Sequence, residues 1–145
     1  MTVVNRSLIG LYFLLTMQML ANTAVAADWH VVAKIDEGTV YVDAQGIVLK
    51  DKLRRAWDRW NYAEDQAGFP DSGIRAFKAS KHLAYYNCEE KTFAVAQVVY
   101  LDEKGKSLGQ INVDVNAASF SVVVPDSVSE AQLRFVCAAK LGAKP

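Results

Sequence analysis

Proline, histidine and cysteine are scarce in this chain of 145 residues, which contains three, two and two of them. Lys and Arg together number 16, as do Asp and Glu, so the chain has no formal net charge and no overall basic footprint for nucleic acid. No internal repeat, low-complexity stretch or Pro/Gly-rich linker interrupts residues 27–145. The hydrophobic fraction of 52% is too high for a disordered protein. These features predict one folded domain with a single core.

Sequence signatures of common enzyme classes are also missing. The eight glycines are scattered and form neither a Walker nor a dinucleotide-binding pattern. No G-x-S-x-G motif occurs, and turns, strand faces and a helix cap account for the serines at positions 72, 80, 107, 119, 121, 127 and 129. Carboxylates suited to glycoside cleavage exist at positions 36, 37, 43, 89 and 90, but nothing in their spacing indicates a pair. The sequence therefore predicts a non-catalytic protein without a cofactor.

The two histidines do not indicate a metal site. Zinc needs three or four ligands that converge at about 2 Å, which two isolated histidines do not provide. His30 lies beside Trp29 in a predicted strand, and His82 lies beside Lys81. We interpret both as ordinary surface or edge residues and predict no bound metal.

The first 26 residues have the pattern of a secretory signal peptide. Arg6 is the only charged residue before the apolar run Leu8–Ala21. This run is about 14 residues long, whereas a transmembrane helix needs roughly 20. Ala24 and Ala26 fit the A-x-A rule, so we expect cleavage after Ala26 and a mature domain at residues 27–145 with no membrane span. No cysteine is placed to carry a lipid anchor, so we expect an exported protein that is periplasmic or secreted, with association with the cell surface as a further alternative.

Cys88 and Cys137 are the only cysteines. In a small exported domain, two thiols most simply form a disulfide. A metal-binding pair and a catalytic thiol are the alternatives, but neither cysteine belongs to a C-x-x-C motif and no histidine lies within a few residues of either. We therefore predict a structural Cys88–Cys137 disulfide.

Runs of alternating apolar residues, separated by residues that favour turns, predict a series of β-strands. Trp29–Ile35 and Thr39–Asp43 flank a turn at Gly38, which indicates a hairpin. A second turn, at Gly105, predicts another hairpin. The last strand stops at Pro125, which lacks the amide hydrogen that ladder pairing requires. The further predicted strands are Ser80–Cys88, Thr92–Leu101, Ser107–Val115 and Phe120–Val124.

The hydrophobic spacing changes to that of a helix after the last predicted strand. Apolar residues at positions 128, 131, 133, 135, 136 and 139 recur mostly at intervals of three and four. Ser127 and Glu130 form a capping-box pattern, in which two side chains satisfy amides of the first turn. We expect a C-terminal helix that carries Cys137 near its end and is joined by the disulfide to the strand before Cys88.

The segment Leu49–Tyr62 fits two structures. Five of its apolar residues fall within about a third of a turn on a helical wheel: Leu49, Leu53, Ala56, Trp57 and Trp60. The alternation of a strand would instead place Arg55 and Arg59 on the face that carries Trp57. Periodicity alone favours the helix.

The same segment holds a cluster of basic and aromatic residues. Its members are Lys50, Lys52, Arg54, Arg55 and Arg59 with Trp57, Trp60 and Tyr62. Such residues could bind a polyanion through charge and stacking. Their long stems could equally cover the rings on a solvated face, and carboxylates at positions 51, 58, 64 and 65 would weaken a positive field. The solvated face is the favoured interpretation, and an anionic or protein ligand is the plausible target otherwise.

Several short motifs follow one another in order along the chain. They are Trp29, Tyr41-Val42-Asp43, Ala56-Trp57, Asn61-Tyr62, Ser80-Lys81-His82-Leu83 before Cys88, Val124-Pro125-Asp126-Ser127 and Phe135-Val136-Cys137. This succession resembles the surface-adhesin E family of exported bacterial proteins over residues 29–138. Its most specific parts are the Ser-Lys stretch before the first cysteine, an aromatic strand with Tyr100 before a Gly-bearing turn, and the Pro-x-Ser start of the helix.

The resemblance implies an α+β fold, in which a small antiparallel sheet of about six strands carries a C-terminal helix on one face and one disulfide. It also implies that the Ala-Trp stretch is a strand. We therefore predict Leu53–Tyr62 as a strand with its arginines on a solvated face, against the helical wheel. The family takes its name from a lipid-anchored adhesin of a Gram-negative pathogen that binds host matrix and serum proteins, so host proteins of this kind are the implied partners.

Two functional hypotheses remain at this point. The first is an exported, non-catalytic, adhesin-like protein of a Gram-negative bacterium that recognises an extracellular or envelope protein or polyanion. The second, suggested by the missing lipid-anchor cysteine, is a soluble periplasmic housekeeping or inhibitor-like protein with an envelope partner. The sequence does not identify the ligand-binding residues. An exposed strand edge would also allow two chains to form a homodimer.

Overall fold

A computed structural model describes residues 26–114 and 120–141. The predicted signal peptide, except for Ala26, and the end of the predicted strand at Val115 lie outside the described residues. The strands are β1 (Trp29–Ile35), β2 (Gly38–Asp43), β3 (Val48–Lys50), β4 (Leu53–Gln66), β5 (Phe77–Asn87), β6 (Thr92–Leu101), β7 (Ser107–Asn112) and β8 (Ser121–Val122). The helix is α1 (Val128–Ala138), and a single 3-10 turn covers Pro70–Ser72.

All eight strands belong to one antiparallel sheet. Its main order is β1-β2-β4-β5-β6-β7, while β3 pairs with the start of β4 and β8 pairs with the start of β6. Gly38 in the first hairpin has a φ of 154°, and a Cβ there would clash with the carbonyl oxygen of Asn61. The predicted glycine turn is therefore required by the close approach of β2 to β4.

One face of the sheet carries the core, in two separate clusters. The first lies under α1 and includes Val42, Ala56, Ala84 and Val136, each at most 1% exposed. The second lies beyond the helix, where Ile74 of the β4–β5 connection packs with other apolar side chains. We call this face the helix side and the opposite one the open face.

Helix α1 begins as the sequence predicts. The Ser127 hydroxyl accepts a hydrogen bond from the Glu130 amide at 3.2 Å. The Glu130 carboxylate accepts from the Asp126 amide at 2.9 Å, one residue before the position that a standard capping box uses. The disulfide between Cys88 and Cys137 joins the other end of α1 to the residue after β5, which confirms the predicted pairing.

The predicted elements are confirmed, with differences in their bounds. The disputed segment is a strand, and it continues past Tyr62 to Gln66. The sequence did not predict the short strand β3, because its three residues gain order only by pairing with β4. Strand β5 begins at Phe77, three residues before its predicted start. The two ends of the main strand order, β1 and β7, are the edges of the sheet.

Helix α1 does not meet the requirements for a membrane span. Among residues 26–114 and 120–141, no helix is both long enough and apolar enough to cross a membrane.

Candidate binding surfaces

Strand register decides which side chains share a face. Residues that pair across antiparallel strands point to the same side of a sheet. Tyr41 pairs with Arg59, which in turn pairs with Lys81. Val42 pairs with Asp58, which pairs with His82. The first set lies on the open face and the second on the helix side, so the sheet has two chemically different candidate surfaces.

The open face is rich in cations and aromatic rings. Its side chains from β2, β4 and β5 include Tyr41, Arg55, Trp57, Arg59, Lys81 and Tyr85. Most of them are half-buried by their neighbours in the sheet. Two shallow depressions of about 400 and 210 Å³ flank Trp29 on this face. The open face therefore has surface depressions as well as positively charged side chains.

Contacts between cations and rings fix parts of this surface. Lys81 Nζ lies 5.6 Å from the ring centre of Trp29, and Lys50 Nζ lies 5.8 Å from that of Tyr85. Arg59 Nε donates to Asn61 Oδ1 at 2.8 Å. These interactions hold flexible cationic side chains near defined positions, which lowers the entropy lost when they bind a ligand.

The structure divides the basic and aromatic cluster that the sequence singles out. Arg55, Trp57 and Arg59 lie on the open face, whereas Trp60 lies on the helix side. Arg54 also points to the helix side, so the prediction that all arginines of this strand lie on a solvated face is wrong for Arg54. The reason is the alternation of β4, which places neighbouring residues on opposite faces.

Arg54 binds the end of the helix. Its Nη1 atom donates to the carbonyl oxygens of Val136 and Ala139 at 2.7 and 2.6 Å. The last carbonyl groups of a helix have no partner within it and carry a partial negative charge. A guanidinium at this position satisfies them, so Arg54 has a structural role on the helix side.

The carboxylates near this cluster also lie in different parts of the structure. Asp58 is on the helix side and is 3% exposed, so it does not lie among the cations of the open face. Asp65 lies 3.7 Å from Lys78. Asp43, at the edge of the open face, is buried and accepts a hydrogen bond from the Asp28 amide. Asp58 therefore points away from the cations of the open face.

A cleft of about 380 Å³ lies on the helix side, beside the core cluster under α1. Its sheet wall contains Asp58, Trp60 and His82, with apolar side chains beside them, and the first turn of α1 forms the opposite wall. The sequence does not reveal this site, because Asp58 and His82 are 24 positions apart and meet only through the β4–β5 register. The one available signal was a charged residue, Asp58, at an inward position of β4.

A chain of polar contacts runs from Asp58 across the sheet. Asp58 Oδ1 lies 2.8 Å from His82 Nδ1, and His82 Nε2 lies 3.0 Å from Ser80 Oγ. Ser80 Oγ in turn lies 3.1 Å from the Tyr62 hydroxyl. His82 is therefore an inward-facing residue with 18% of its side chain exposed, and not the surface residue that the sequence suggests.

Asp58, His82 and Ser80 contact one another in the same order as the acid, base and nucleophile of a hydrolytic triad. The serine, however, lacks the access to a substrate that such a triad needs. Ser80 is 1% exposed and does not line the cleft, and its hydroxyl is held between His82 and Tyr62. A serine nucleophile must reach the substrate carbonyl. The arrangement is therefore a buried polar network rather than catalytic machinery.

Tyr86 forms part of the cleft and is 1% exposed. Burial, and to a smaller extent the nearby Asp58 carboxylate, raise the pKa of Tyr86 well above its ordinary value of 10.0. Burial also raises the pKa of Tyr100, with a smaller contribution from Tyr62. Both hydroxyls therefore stay protonated through the physiological pH range.

His30 lies on the edge strand β1, which agrees with its interpretation as a surface or edge residue. Its Nε2 atom is 3.0 Å from Asp28 Oδ2, and its ring centre is 5.5 Å from that of Phe135. His30 and His82 lie on different strands and take different partners. Within the part of the chain that the structure describes, no group of three or more His, Cys, Asp or Glu side chains is placed to hold a metal ion.

The fold defines a class of protein: an α+β domain in which a curled antiparallel sheet holds one C-terminal helix through a disulfide. The chain belongs to the surface-adhesin protein E family, whose model matches residues 29–138. Membership of this family indicates a surface adhesin, which is a non-enzymatic binding protein. The resemblance noted from the sequence is thereby confirmed.

Solved structures of another protein have the same fold. The structure of Haemophilus influenzae protein E in crystal form II has a TM-score of 0.58 at 16% identity, over 80% of this chain and 91% of that chain. Another structure of the same protein has a TM-score of 0.57 at 15% identity, over 85% and 93%. Protein E from non-typeable H. influenzae has a TM-score of 0.54 at 15% identity, over 80% of this chain and 79% of that chain. A search of curated proteins found no match.

Proposed function

We propose that this protein is exported and acts as a surface adhesin, with the open face as its contact surface for an anionic partner. The family match over residues 29–138 is the observation that carries the adhesin function. The pattern of the first 26 residues supports export. These two supports are independent, because the family match begins after the predicted cleavage point.

The chemistry of the open face supports an anionic partner. Arg55, Arg59 and Lys81 lie on adjacent strands and form one basic area beside aromatic rings. A positive area attracts a negatively charged partner and increases the rate of encounter. Aromatic side chains add contact area at a low cost in conformational entropy. A polyanion, or a strongly acidic patch on a host protein, would meet both features.

Export gives a first test. We expect the mature chain to begin near Ala27 and to be cut by protease added to intact cells, because an adhesin must be accessible from outside. N-terminal sequencing of the fractionated protein and surface proteolysis measure this. A mature chain that is protected in intact cells and released only with the periplasm would contradict the surface role and favour the housekeeping alternative.

The open face gives a second test. The double variant Arg55→Ala/Arg59→Ala should bind heparin, used as a model polyanion, about thirtyfold more weakly at low salt, because each cation contributes about 1 kcal/mol. Binding should also weaken with increasing salt concentration. Affinity chromatography and calorimetry across salt concentrations measure both effects.

A matched control removes two cations elsewhere. Lys104→Ala/Lys106→Ala changes the net charge equally in the exposed β6–β7 turn, so it should leave heparin affinity within about twofold. Equal losses in the two variants would show that net charge alone attracts the polyanion and would refute the open face as the contact surface. A parallel panel with vitronectin and laminin tests whether the same double variant loses binding to host proteins.

A further inference from the structure

Two cations of the open face lie opposite each other on neighbouring strands. Arg59 of β4 pairs with Lys81 of β5. Side chains that face each other in this way have Cβ atoms about 5 Å apart, and like charges at such positions destabilise a sheet. Among residues 26–114 and 120–141, neither side chain forms an ion pair with a carboxylate. An anionic ligand seated between them would remove this repulsion.

The carboxylates near these cations have partners within the protein. Asp28 Oδ2 lies 3.0 Å from the Nε2 atom of His30. Asp43 is 8% exposed and accepts a hydrogen bond from the Asp28 amide at 2.9 Å. By contrast, Arg59 and Lys81 are only partly buried. Of the charged groups described in this area, the two that are accessible and lack a charged partner are therefore cations.

Both cations are held in place with donors left for a ligand. Arg59 donates through Nε to Asn61 Oδ1 at 2.8 Å, which leaves its Nη groups to bind an anion. The amide N–H groups of Asn61 are donors of the same area. Lys81 Nζ lies 5.6 Å from the ring centre of Trp29 and carries three N–H groups. These donors suit the oxygen atoms of carboxylate, sulfate and hydroxyl groups.

Aromatic rings alternate with these donors. Trp29 lies between the two depressions of the open face and lines both. The smaller depression adds Tyr41 to Arg59, and the larger adds Trp57 to Lys81. Aromatic rings present flat apolar faces, against which the C–H groups of a sugar ring can pack. The alternation of ring and cation therefore matches a chain of sugar rings that carry anionic groups.

The strands that carry these side chains argue against a peptide ligand. A bound peptide often gains affinity by adding a strand to a free sheet edge, where unpaired amide and carbonyl groups meet its backbone. Strands β2, β4 and β5 are central and pair with other strands on both sides. A ligand over them is bound by side chains, which suits a polysaccharide because sugar rings need no ladder of backbone hydrogen bonds.

We infer that the depressions on both sides of Trp29 bind an acidic polysaccharide, whose sugar rings pack on the aromatic side chains and whose anionic groups contact Arg59 and Lys81. The inference rests on the proposed function. It narrows the anionic partner to a glycan of the surface to which the protein adheres.

Acidic oligomers that differ in chain chemistry test the inference on the mature chain. Tetragalacturonate and a blocked tetraglutamate carry the same number of carboxylates, on sugar rings and on a peptide. The three tryptophans give three indole N–H signals in a nitrogen–proton correlation spectrum, which Trp→Phe variants assign. We expect tetragalacturonate to shift the signals of Trp29 and Trp57 saturably and to leave that of Trp60, on the helix side, in place. Tetraglutamate should bind at least about tenfold more weakly, because it has no sugar rings to pack on the aromatic side chains.

Substitutions separate the contribution of charge from that of the ring. Lys81→Gln should weaken tetragalacturonate binding about fivefold. Lys104→Gln, in the exposed β6–β7 turn, is the matched control and should change it less than about twofold. Trp29→Leu should weaken tetragalacturonate binding about tenfold and leave tetraglutamate binding within about twofold. An unchanged Trp60 signal shows that each variant is folded.

A second pair of probes repeats the comparison with sulfate. It consists of a heparin tetrasaccharide and a blocked octaglutamate of similar charge. Tighter binding of the sugar in either pair supports the inference, and the pair that shows it identifies the anionic group. If the peptide binds as tightly as the sugar in both pairs, the glycan is refuted while the anionic contact surface stands. If none of the oligomers shifts the signals of Trp29 and Trp57, both are refuted. Surface proteolysis of intact cells tests the adhesin role separately.

Discussion

Replacement of Cys88 and Cys137 by alanine is expected to lower the free energy of unfolding by about 4 kcal/mol. The two residues are 49 positions apart in sequence, and a cross-link over a loop of this length removes that much chain entropy from the unfolded state. The melting temperature should fall by roughly 15 °C for a domain of this size. Chemical denaturation of the double variant beside the unmodified protein measures the effect.

The same experiment has an internal control. Reducing agent should destabilise the unmodified protein by a similar amount and leave the double variant unchanged, because the variant has no disulfide to reduce. A loss below about 1 kcal/mol would show that the contacts of α1 with the sheet hold the helix without the covalent link.

Replacement of Arg54 by methionine is expected to cost about 2 kcal/mol, although methionine keeps much of the side-chain volume. The loss removes two hydrogen bonds, of 2.7 and 2.6 Å, to the carbonyl oxygens of Val136 and Ala139. Hydrogen bonds from charged donors are among the stronger ones, and the carbonyl groups at a helix end would lose a favourably placed cation. Urea denaturation measures the change.

Arg55→Met is the matched control for this prediction. Arg55 is the next residue of the same strand but lies on the open face, where surface substitutions change stability by about 0.5 kcal/mol or less. Similar losses in Arg54→Met and Arg55→Met would show that the contacts to the helix end do not stabilise the fold. The pair thus isolates the contribution of the helix contact from that of the charge.

The disulfide and Arg54 fix the same part of the molecule. Cys137 and the carbonyl groups of Val136 and Ala139 all belong to the final turn of α1 and the residue after it. The other end of the helix is held by its cap. The helix that these contacts hold also forms one wall of the cleft through its first turn.

The case of β4 shows how local patterns and tertiary pairing compete. On a helical wheel, Leu53, Trp57 and Trp60 form an apolar stripe, yet the segment is a strand of 14 residues. Its neighbours decide the outcome. Strands β2 and β3 pair with one edge of β4, and strand β5 pairs with its other edge. Periodicity cannot report such pairing, and only the family resemblance pointed to the strand.

The sequence by itself determined the local features of this protein. Gly38, Pro125 and the Ser127–Glu130 pair mark a turn, a strand end and a helix start, because each acts through its own backbone conformation or through amides a few residues away. Two cysteines in one small domain left a single intramolecular pairing.

Only the tertiary structure decided which residues meet across strands. The contact of Asp58 with His82, the approach of Arg54 to the end of α1 and the gathering of Arg59 with Lys81 all depend on the register of distant segments. A shift of one residue in that register would exchange the two faces of a strand. For this reason the sequence contained the residues of both candidate surfaces, and the fold alone assigned each residue to its surface.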